Sequence, residues 1–129
     1  GWTLTMAPTL GPGARWANVG GNRFIDFNDS FVSGCADGLD ADTNAGQLSI
    51  TPGALMTDCI SCTTTGVSVG SASSFSQGAV DSVTLANAAA GSDDVWRGYL
   101  TDIGLSQTLP GETASDSYSI NFTVTATAS

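Results

Sequence analysis

Histidine and lysine are absent from this sequence, and charged residues of all kinds make up only 12% of its 129 residues. Without an imidazole, the chain has no Ser–His or Cys–His catalytic pair and no His-ligated metal. Without lysine, it has neither Schiff-base nor P-loop chemistry. We therefore expect no enzyme activity.

Basic residues are scarce in total: three arginines stand against twelve acidic residues, which gives a net charge of −9. This charge repels phosphate backbones and anionic lipid headgroups. No apolar run approaches the length of a membrane-spanning segment. The sequence therefore predicts neither nucleic-acid binding nor membrane insertion.

Apolar residues make up 41% of the chain, which is enough for one hydrophobic core. The near absence of Glu and Lys argues against long solvated helices, which rely on those residues. The chain starts at Gly1 rather than Met and has no basic-then-apolar leader, as expected of a mature product whose signal peptide has been removed. We predict an extracellular or cell-surface location.

The two ends of the chain carry the clearest strand patterns. Alternation of apolar and polar residues over 118–126 predicts a strand with its apolar side in the core, formed by Tyr118, Ile120, Phe122, Val124 and Ala126. Near the other end, alternation predicts a short strand that Pro8 stops. Its apolar residues are Trp2, Leu4 and Met6.

Between these ends, short apolar runs alternate with turns rich in Gly, Pro and Asp. We predict further strands at residues 15–19, 24–27, 31–32, 47–51, 66–69, 79–85, 95–100 and 103–109, and one helical turn at 86–90. This pattern predicts an all-β fold, an Ig-like or pilin-like antiparallel β-sandwich. The Gly- and Pro-rich stretch after Met6 divides the chain into an N-terminal strand and hinge, residues 1–13, and a single β-sandwich domain, residues 14–129.

The C-terminal third resembles the closing hairpin of prokaryotic surface β-sandwiches. Residues 103–113 read IGLSQTLPGET, a strand that ends near a proline and a small-residue turn, and residues 117–125 read SYSINFTVT. Similar hairpins occur in pilin-like subunits, TasA-type matrix-fibre proteins and WxL-type wall domains, although the WxL signature itself is absent here. The resemblance implies a β-sandwich that builds a surface fibre.

Three cysteines leave the disulfide pattern open. In an oxidising compartment we expect Cys35 to be bridged to Cys59 or to Cys62, which would close a loop of about 25 residues and contribute roughly 3 kcal/mol. The alternative is three reduced thiols. Cys59 and Cys62 also have the spacing of a redox or zinc pair, but neither a βαβ pattern nor further zinc ligands accompany them.

An acidic segment contains the candidate metal site. Asp40, Asp42 and Asn44 place oxygen donors at positions one, three and five of a calcium-type loop. The glycine and glutamate expected at positions six and twelve are missing, so the alternative is an acidic turn whose side chains cap their own backbone. We expect no required cofactor, with Ca²⁺ as the one candidate.

Two further features relate to carbohydrate. Large aromatic residues would either form a platform for stacking sugars or fill the core, and these are Trp2, Trp16, Trp96 and Tyr99. Two Asn-x-Ser/Thr sequons, at Asn28 and Asn121, are candidate glycosylation sites.

Together these features predict a non-catalytic structural subunit of an extracellular filament, pilus or surface layer, whose partners are other copies of itself. The assembly strand would be the segment carrying Trp2, Leu4 and Met6, which would complete the sheet of a neighbouring subunit. The alternative for this segment is an ordinary strand within its own domain. A second functional hypothesis is a secreted carbohydrate-binding β-sandwich module, either with or without a requirement for Ca²⁺.

Overall fold

The computed structural model describes residues 1–30, 44–62, 64–92 and 97–128. They contain strands and no helix. The strands are β1 (Trp2–Pro8), β2 (Trp16–Asn18), β3 (Phe24–Ile25), β4 (Asn28–Asp29), β5 (Gly46–Thr51), β6 (Ala54–Thr57), β7 (Val67–Val69), β8 (Ser73–Ser74), β9 (Val83–Ala88), β10 (Gly98–Thr101), β11 (Gly104–Thr108), β12 (Tyr118–Ser119) and β13 (Phe122–Ala128).

All strand pairs in the described residues are antiparallel, and they form four sheets. The first sheet has the order β13-β1-β9-β7. The second has the order β11-β5-β4, with β8 added to β5, and the two smaller sheets are β10-β6 and β12-β2-β3. The predicted all-β, sandwich-like fold is therefore confirmed.

Two of these sheets, β10-β6 and β11-β5, are parts of one ribbon that is interrupted on both strands. Gly104 lies opposite Thr51 in the β11–β5 pair, and Thr101 lies opposite Ala54 in the β10–β6 pair. Both strands advance by three residues between these pairs, so the register is continuous across the break. Pro52 and Gly53 interrupt one strand where Asp102, at a positive φ of 57°, interrupts the other.

The core lies between the first and second sheets. Three aromatic rings meet there, with centroids 5.2 to 5.9 Å apart, and they belong to Phe27, Phe75 and Phe122. Aliphatic side chains of both sheets surround them, notably Leu48 and Ile50 from β5 and Val83 and Leu85 from β9. Edge-to-face aromatic contacts of this kind add to the stability gained from burying the rings.

A β-bulge interrupts the regular pairing of β9 with β1. The register between β1 and β9 shifts between Leu4 and Thr5, and Leu85 is the extra residue on β9. Strict alternation would turn either Leu85 or Ala86 towards solvent, but both are buried. The bulge thus breaks the period of two that a sequence pattern assumes.

The structure corrects the prediction of one continuous C-terminal strand. The predicted strand over 118–126 is divided, because β12 pairs with β2 in one sheet while β13 pairs with β1 in another. Strands that change sheets at a corner are common in sandwiches. Only Ile120 and Phe122 of its apolar side pack against the core, whereas Val124 and Ala126 are exposed.

The helical turn predicted at residues 86–90 is also wrong. Residues 86–88 are the end of β9, and a turn follows in which the amide of Ser92 donates to the carbonyl of Ala89. The run of alanines is compatible with a strand here because Ala86 and Ala88 are buried against neighbouring strands, and tertiary packing overrides their helix propensity.

Candidate assembly interface and binding cleft

The N-terminal strand β1 lies between β9 and β13. It pairs with β13 from Trp2 opposite Ala128 to Pro8 opposite Phe122, and with β9 from Trp2 opposite Ala88 to Met6 opposite Val83. β9 and β13 are not neighbours in the sheet, so β1 fills the slot between them. The three predicted assembly residues are half-buried, and Leu4 and Met6 pack against the core.

The strand therefore occupies the alternative position that the sequence allowed, inside the sheet of its own chain. The division at residue 13 does not separate it from the remainder of the described chain, because its ladder partners are the last long strand and β9. An exchange of β1 between chains would use the same contacts and stays a prediction.

The connection after β1 is a glycine-containing turn on the surface. The amide of Gly11 donates to the carbonyl of Pro8, the amide of Ala14 donates to the carbonyl of Gly11, and Gly11 has a φ of 79°. Leu10 is 85% exposed. Further on, Asn28 Nδ2 donates to the carbonyl of Pro12 over 2.9 Å and holds that end of the connection. Thr9 is held as well, because its amide donates to the carbonyl of Asn121 and its Oγ1 lies 2.9 Å from Oγ1 of Thr123.

A cleft of about 550 Å³ lies beside β2 and the segment that precedes β12. Its lining includes two aromatic side chains, Trp16 and Tyr118, and a polar rim with Gln107, Ser115 and Asp116. The indole N–H of Trp16 donates to Gln107 Oε1, and the hydroxyl of Tyr118 donates to the carbonyl of Ala114. Both rings are therefore held in place by hydrogen bonds, which favours a preformed cleft.

Asp116 is the charged group of this cleft. Hydrogen bonds from the Asn18 side chain, first, and from the Ser117 amide lower the pKa of Asp116 below its ordinary value of 3.8. Desolvation opposes them, and the charge of Arg23 lowers the pKa by less than either hydrogen bond. Asn18 Nδ2 lies 2.9 Å from Asp116 Oδ2, and Arg23 Nη1 lies 3.4 Å from the same oxygen. The carboxylate is thus ionised at neutral pH and can accept hydrogen bonds.

The disulfide differs from the predicted one. Cys59 is bonded to Cys62, with their Cα atoms 5.6 Å apart. The two cysteines that were predicted as alternative partners of Cys35 are therefore bonded to each other. The turn at residues 60–61 brings the two Cα atoms within the usual range for a disulfide. Cys35 itself lies outside the described residues. A disulfide in the structure fits an oxidising environment.

The predicted calcium site falls largely outside the described residues, since Asp40 and Asp42 lie there and only Asn44, which is half-buried, is described. Within the described ranges, no three Cys, Asp or Glu side chains lie close enough together to hold a metal ion. Calcium binding stays a prediction.

The two sequons differ sharply in exposure. Asn28 is 2% exposed, and its side-chain amide donates to Pro12, so a glycan at this position is incompatible with the fold. Asn121 is exposed between β12 and β13 and can carry one. The aromatic platform does not form as one surface either: Trp2 lies on β1 and Trp16 on β2, in different sheets, whereas Tyr99 lies on β10 and Trp96 is outside the described residues.

Sequence reasoning missed Gln107 and Asn18, which organise the cleft. Asn18 accepts hydrogen bonds from the amides of Asn22 and Arg23 through Oδ1, so it closes the turn between β2 and β3. The strands predicted at 15–19 and 24–27 pointed to this hairpin, but Gln107 is 91 residues away from Trp16 and carries no local signal.

Comparisons with protein-family models, with curated proteins and with solved structures found no match. In the described parts of the chain, no helix has the length and apolar character needed to cross a membrane. The class that the structure defines is an all-β protein of antiparallel sheets with one disulfide between Cys59 and Cys62.

Proposed function

We propose that this protein is a non-catalytic structural subunit of an extracellular filament or surface layer, in which neighbouring copies exchange β1. The observation that carries the proposal is the position of β1, which fills a slot between β9 and β13 and continues into a glycine-containing connection. The same contacts form whether the strand comes from its own chain or from a neighbour, as in domain swapping.

The slot between β9 and β13 is more stable when a strand fills it than when it is empty. Trp2, Leu4 and Met6 are half-buried in the slot, so they contribute about 2–4 kcal/mol before ordering costs, roughly half of the value for three fully buried side chains. An empty slot would expose the core beneath Leu4 and Met6, so a chain whose strand has left is expected to accept another. If residues 9–11 straighten, which breaks the hydrogen bonds of Thr9 to Asn121 and Thr123 of its own chain, β1 reaches a neighbouring copy and an open chain of subunits results.

The extracellular location belongs to the same proposal. The Cys59–Cys62 disulfide supports it, because such bonds persist in oxidising compartments. The scarcity of Lys and Glu and the exposed sequon at Asn121 are compatible with it.

A pair of engineered cysteines tests the exchange. Thr3 lies opposite Thr127 on the outer face of the β1–β13 pair, so Thr3→Cys with Thr127→Cys, in a Cys35→Ser background, would link the strands on oxidation. Refolding at high protein concentration followed by oxidation should give a ladder of covalent multimers in non-reducing electrophoresis. The matched control is Ala54→Cys with Thr101→Cys, on a pair within the ribbon, which should stay monomeric. Monomer bands for both pairs would overturn the proposal.

The cleft supports a second candidate function, the binding of a neutral oligosaccharide. Its two aromatic rings offer apolar faces for sugar stacking, and the ionised Asp116 accepts hydrogen bonds from hydroxyls while repelling anionic ligands. Calorimetric titration with a panel of neutral oligosaccharides tests this candidate. Leu109→Ala, in the cleft, should weaken binding, whereas Leu105→Ala, equally exposed but outside it, should not. No heat of binding for any sugar would exclude it.

A further inference from the structure

We infer that the outer edge of β13 is a docking site for a second copy of this chain, which adds its own β13 in antiparallel orientation. The inference is independent of the exchange of β1, because the outer edge of β13 is the same whichever chain supplies the strand on its inner side. It assigns the lateral contact that a filament or surface layer requires between neighbouring rows of subunits.

The first observation is the length of the free edge. All seven residues of β13 pair with β1 on one side, and no described strand lies on the other side. At such an edge, alternate residues present backbone N–H and C=O groups without a strand partner. The opposite edge of the same sheet is β7, which has only three residues. β13 is thus the long edge of this sheet.

The second observation is that β13 lacks the usual protection of an edge. Natural sheets guard their edges with lysine, proline, inward-pointing charges or bulges. Phe122–Ala128 contains no proline and no charged residue, and its register with β1 is regular throughout. The adjacent strand β1 carries no charge either. In a chain with a net charge of −9, these two neighbouring strands thus contain no charged side chain.

The third observation is an uncovered apolar row. Val124, Ala126 and Ala128 lie opposite Met6, Leu4 and Trp2, on the side of the sheet that faces the core. The β1 residues are half-buried, but Val124 is 56% exposed and the two alanines are also exposed. A strand added beside β13 would bring its own side chains next to this row and cover it.

The sequence of β13 identifies the occupant as a second β13. A two-fold axis at Thr125 would place Val124 of each chain opposite Ala126 of the other, on the apolar side. It would also place Thr123 opposite Thr127 on the outer side. Apolar residues thus meet apolar residues and threonines meet threonines, which continues both faces of the sheet into an isologous eight-stranded sheet.

A substitution with a matched control tests this contact by sedimentation. Val124→Lys introduces a charge at the edge and should raise the dissociation constant of the dimer at least about tenfold, a loss of about 1.4 kcal/mol of association free energy. Leu109→Lys changes a residue of the same exposure, 55%, on another surface and should leave the dimer unchanged. Thermal melts of both variants establish that they fold.

Self-cross-linking tests the register. In a Cys35→Ser background, Thr125→Cys should form a covalent dimer on oxidation because the two-fold axis brings the two copies of residue 125 opposite each other. Thr127→Cys should not, because residue 127 faces residue 123 of the other chain. If Val124→Lys and Leu109→Lys associate alike, or if both cysteine variants cross-link alike, the inference is wrong. A wild-type chain that is monomeric at all concentrations also overturns it.

The two assembly proposals fail separately. If the Thr3→Cys, Thr127→Cys variant forms no covalent multimers but Val124→Lys still weakens a dimer, only the exchange of β1 is wrong. If the covalent multimers of the Thr3→Cys, Thr127→Cys variant persist when Val124→Lys is added, and Thr125→Cys forms no covalent dimer, only the β13 contact is wrong. Capture of a different protein's strand by β13, with no self-association, would contradict the self-pairing.

Discussion

The indole N–H of Trp16 donates a 3.0 Å hydrogen bond to Gln107 Oε1 and thereby joins β2 to β11, which belong to different sheets. The amide nitrogen of Gln107 in turn donates to the carbonyl of Asp26 over 2.8 Å. One side chain from an edge strand thus connects the hairpin of β2 and β3 with the second sheet, at the wall of the cleft.

Removal of the Gln107 side chain should lower the stability of the whole domain. Gln107→Ala leaves the indole N–H of Trp16 and the carbonyl of Asp26 without this partner, so we expect the free energy of unfolding to fall by about 1–3 kcal/mol. Urea denaturation followed by tryptophan fluorescence measures the change. Ser106→Ala, the exposed neighbour on the same strand, should stay within about 0.5 kcal/mol of the parent. Equal stabilities of the two variants would contradict a joining role for Gln107.

The ionised Asp116 should make stability depend on acid pH. Because the pKa of Asp116 is lowered in the folded chain, its contribution is present above the ordinary value of 3.8 and is lost as the pH falls through the lower, folded value. The stability difference between the parent and Asp116→Asn should therefore be largest near neutral pH and shrink in acid. Urea denaturation over a pH series measures it.

The relative sizes of the interactions that lower the pKa of Asp116 provide a control for this pH prediction. The hydrogen bond from Asn18 lowers the pKa of Asp116 more than the charge of Arg23 does. Arg23→Gln should therefore preserve most of the lowered pKa in an NMR titration of the Asp116 carboxyl. A return to the ordinary value in this variant would show that the ion pair, rather than the amide, controls the titration.

The Cys59–Cys62 disulfide should contribute little to stability. It closes a loop of only three residues' separation, for which chain-entropy arithmetic gives about 1.5–2 kcal/mol, less than the roughly 3 kcal/mol of the longer predicted loop. Reduction should lower the free energy of unfolding by no more than this amount.

Peptide mapping checks the pairing itself. Cleavage before aspartate separates Cys35, in the peptide that starts at Asp29, from Cys59 and Cys62, which share the peptide that starts at Asp58. Under non-reducing conditions the latter peptide should carry an internal bond. A covalent link between the two peptides would restore the original prediction.

The close approach of the two strands where the ribbon is interrupted should depend on Gly53. A Cβ atom at this position would collide with the backbone carbonyl of Thr101 and with Asp102, so Gly53→Ala must displace one strand of the ribbon. We expect a loss of about 1–3 kcal/mol, the usual cost of forcing extra volume into a packed site. Gly13→Ala meets no atom within 4 Å and serves as the control. A melting temperature of Gly53→Ala equal to that of Gly13→Ala would show that the ribbon yields there without cost.

The sequence by itself determined the class of fold and most of the strands. Alternation identified β1 and β13, and turn residues marked many of the boundaries, because local periodicity and turn chemistry are encoded within a few residues. It did not reveal β4, β6 and β8, which are short and have no clean alternation.

Only the tertiary structure decided which strands are neighbours and which residues meet. The alternation in β13 is the same whether its apolar side is covered or open, so Val124 could not be distinguished from Phe122. Whether β1 fills its own sheet depends on the slot between β9 and β13, and the Trp16–Gln107 bond joins residues 91 positions apart. Such long-range choices rest on the packing of several strands at once, and the sequence of any one strand does not contain them.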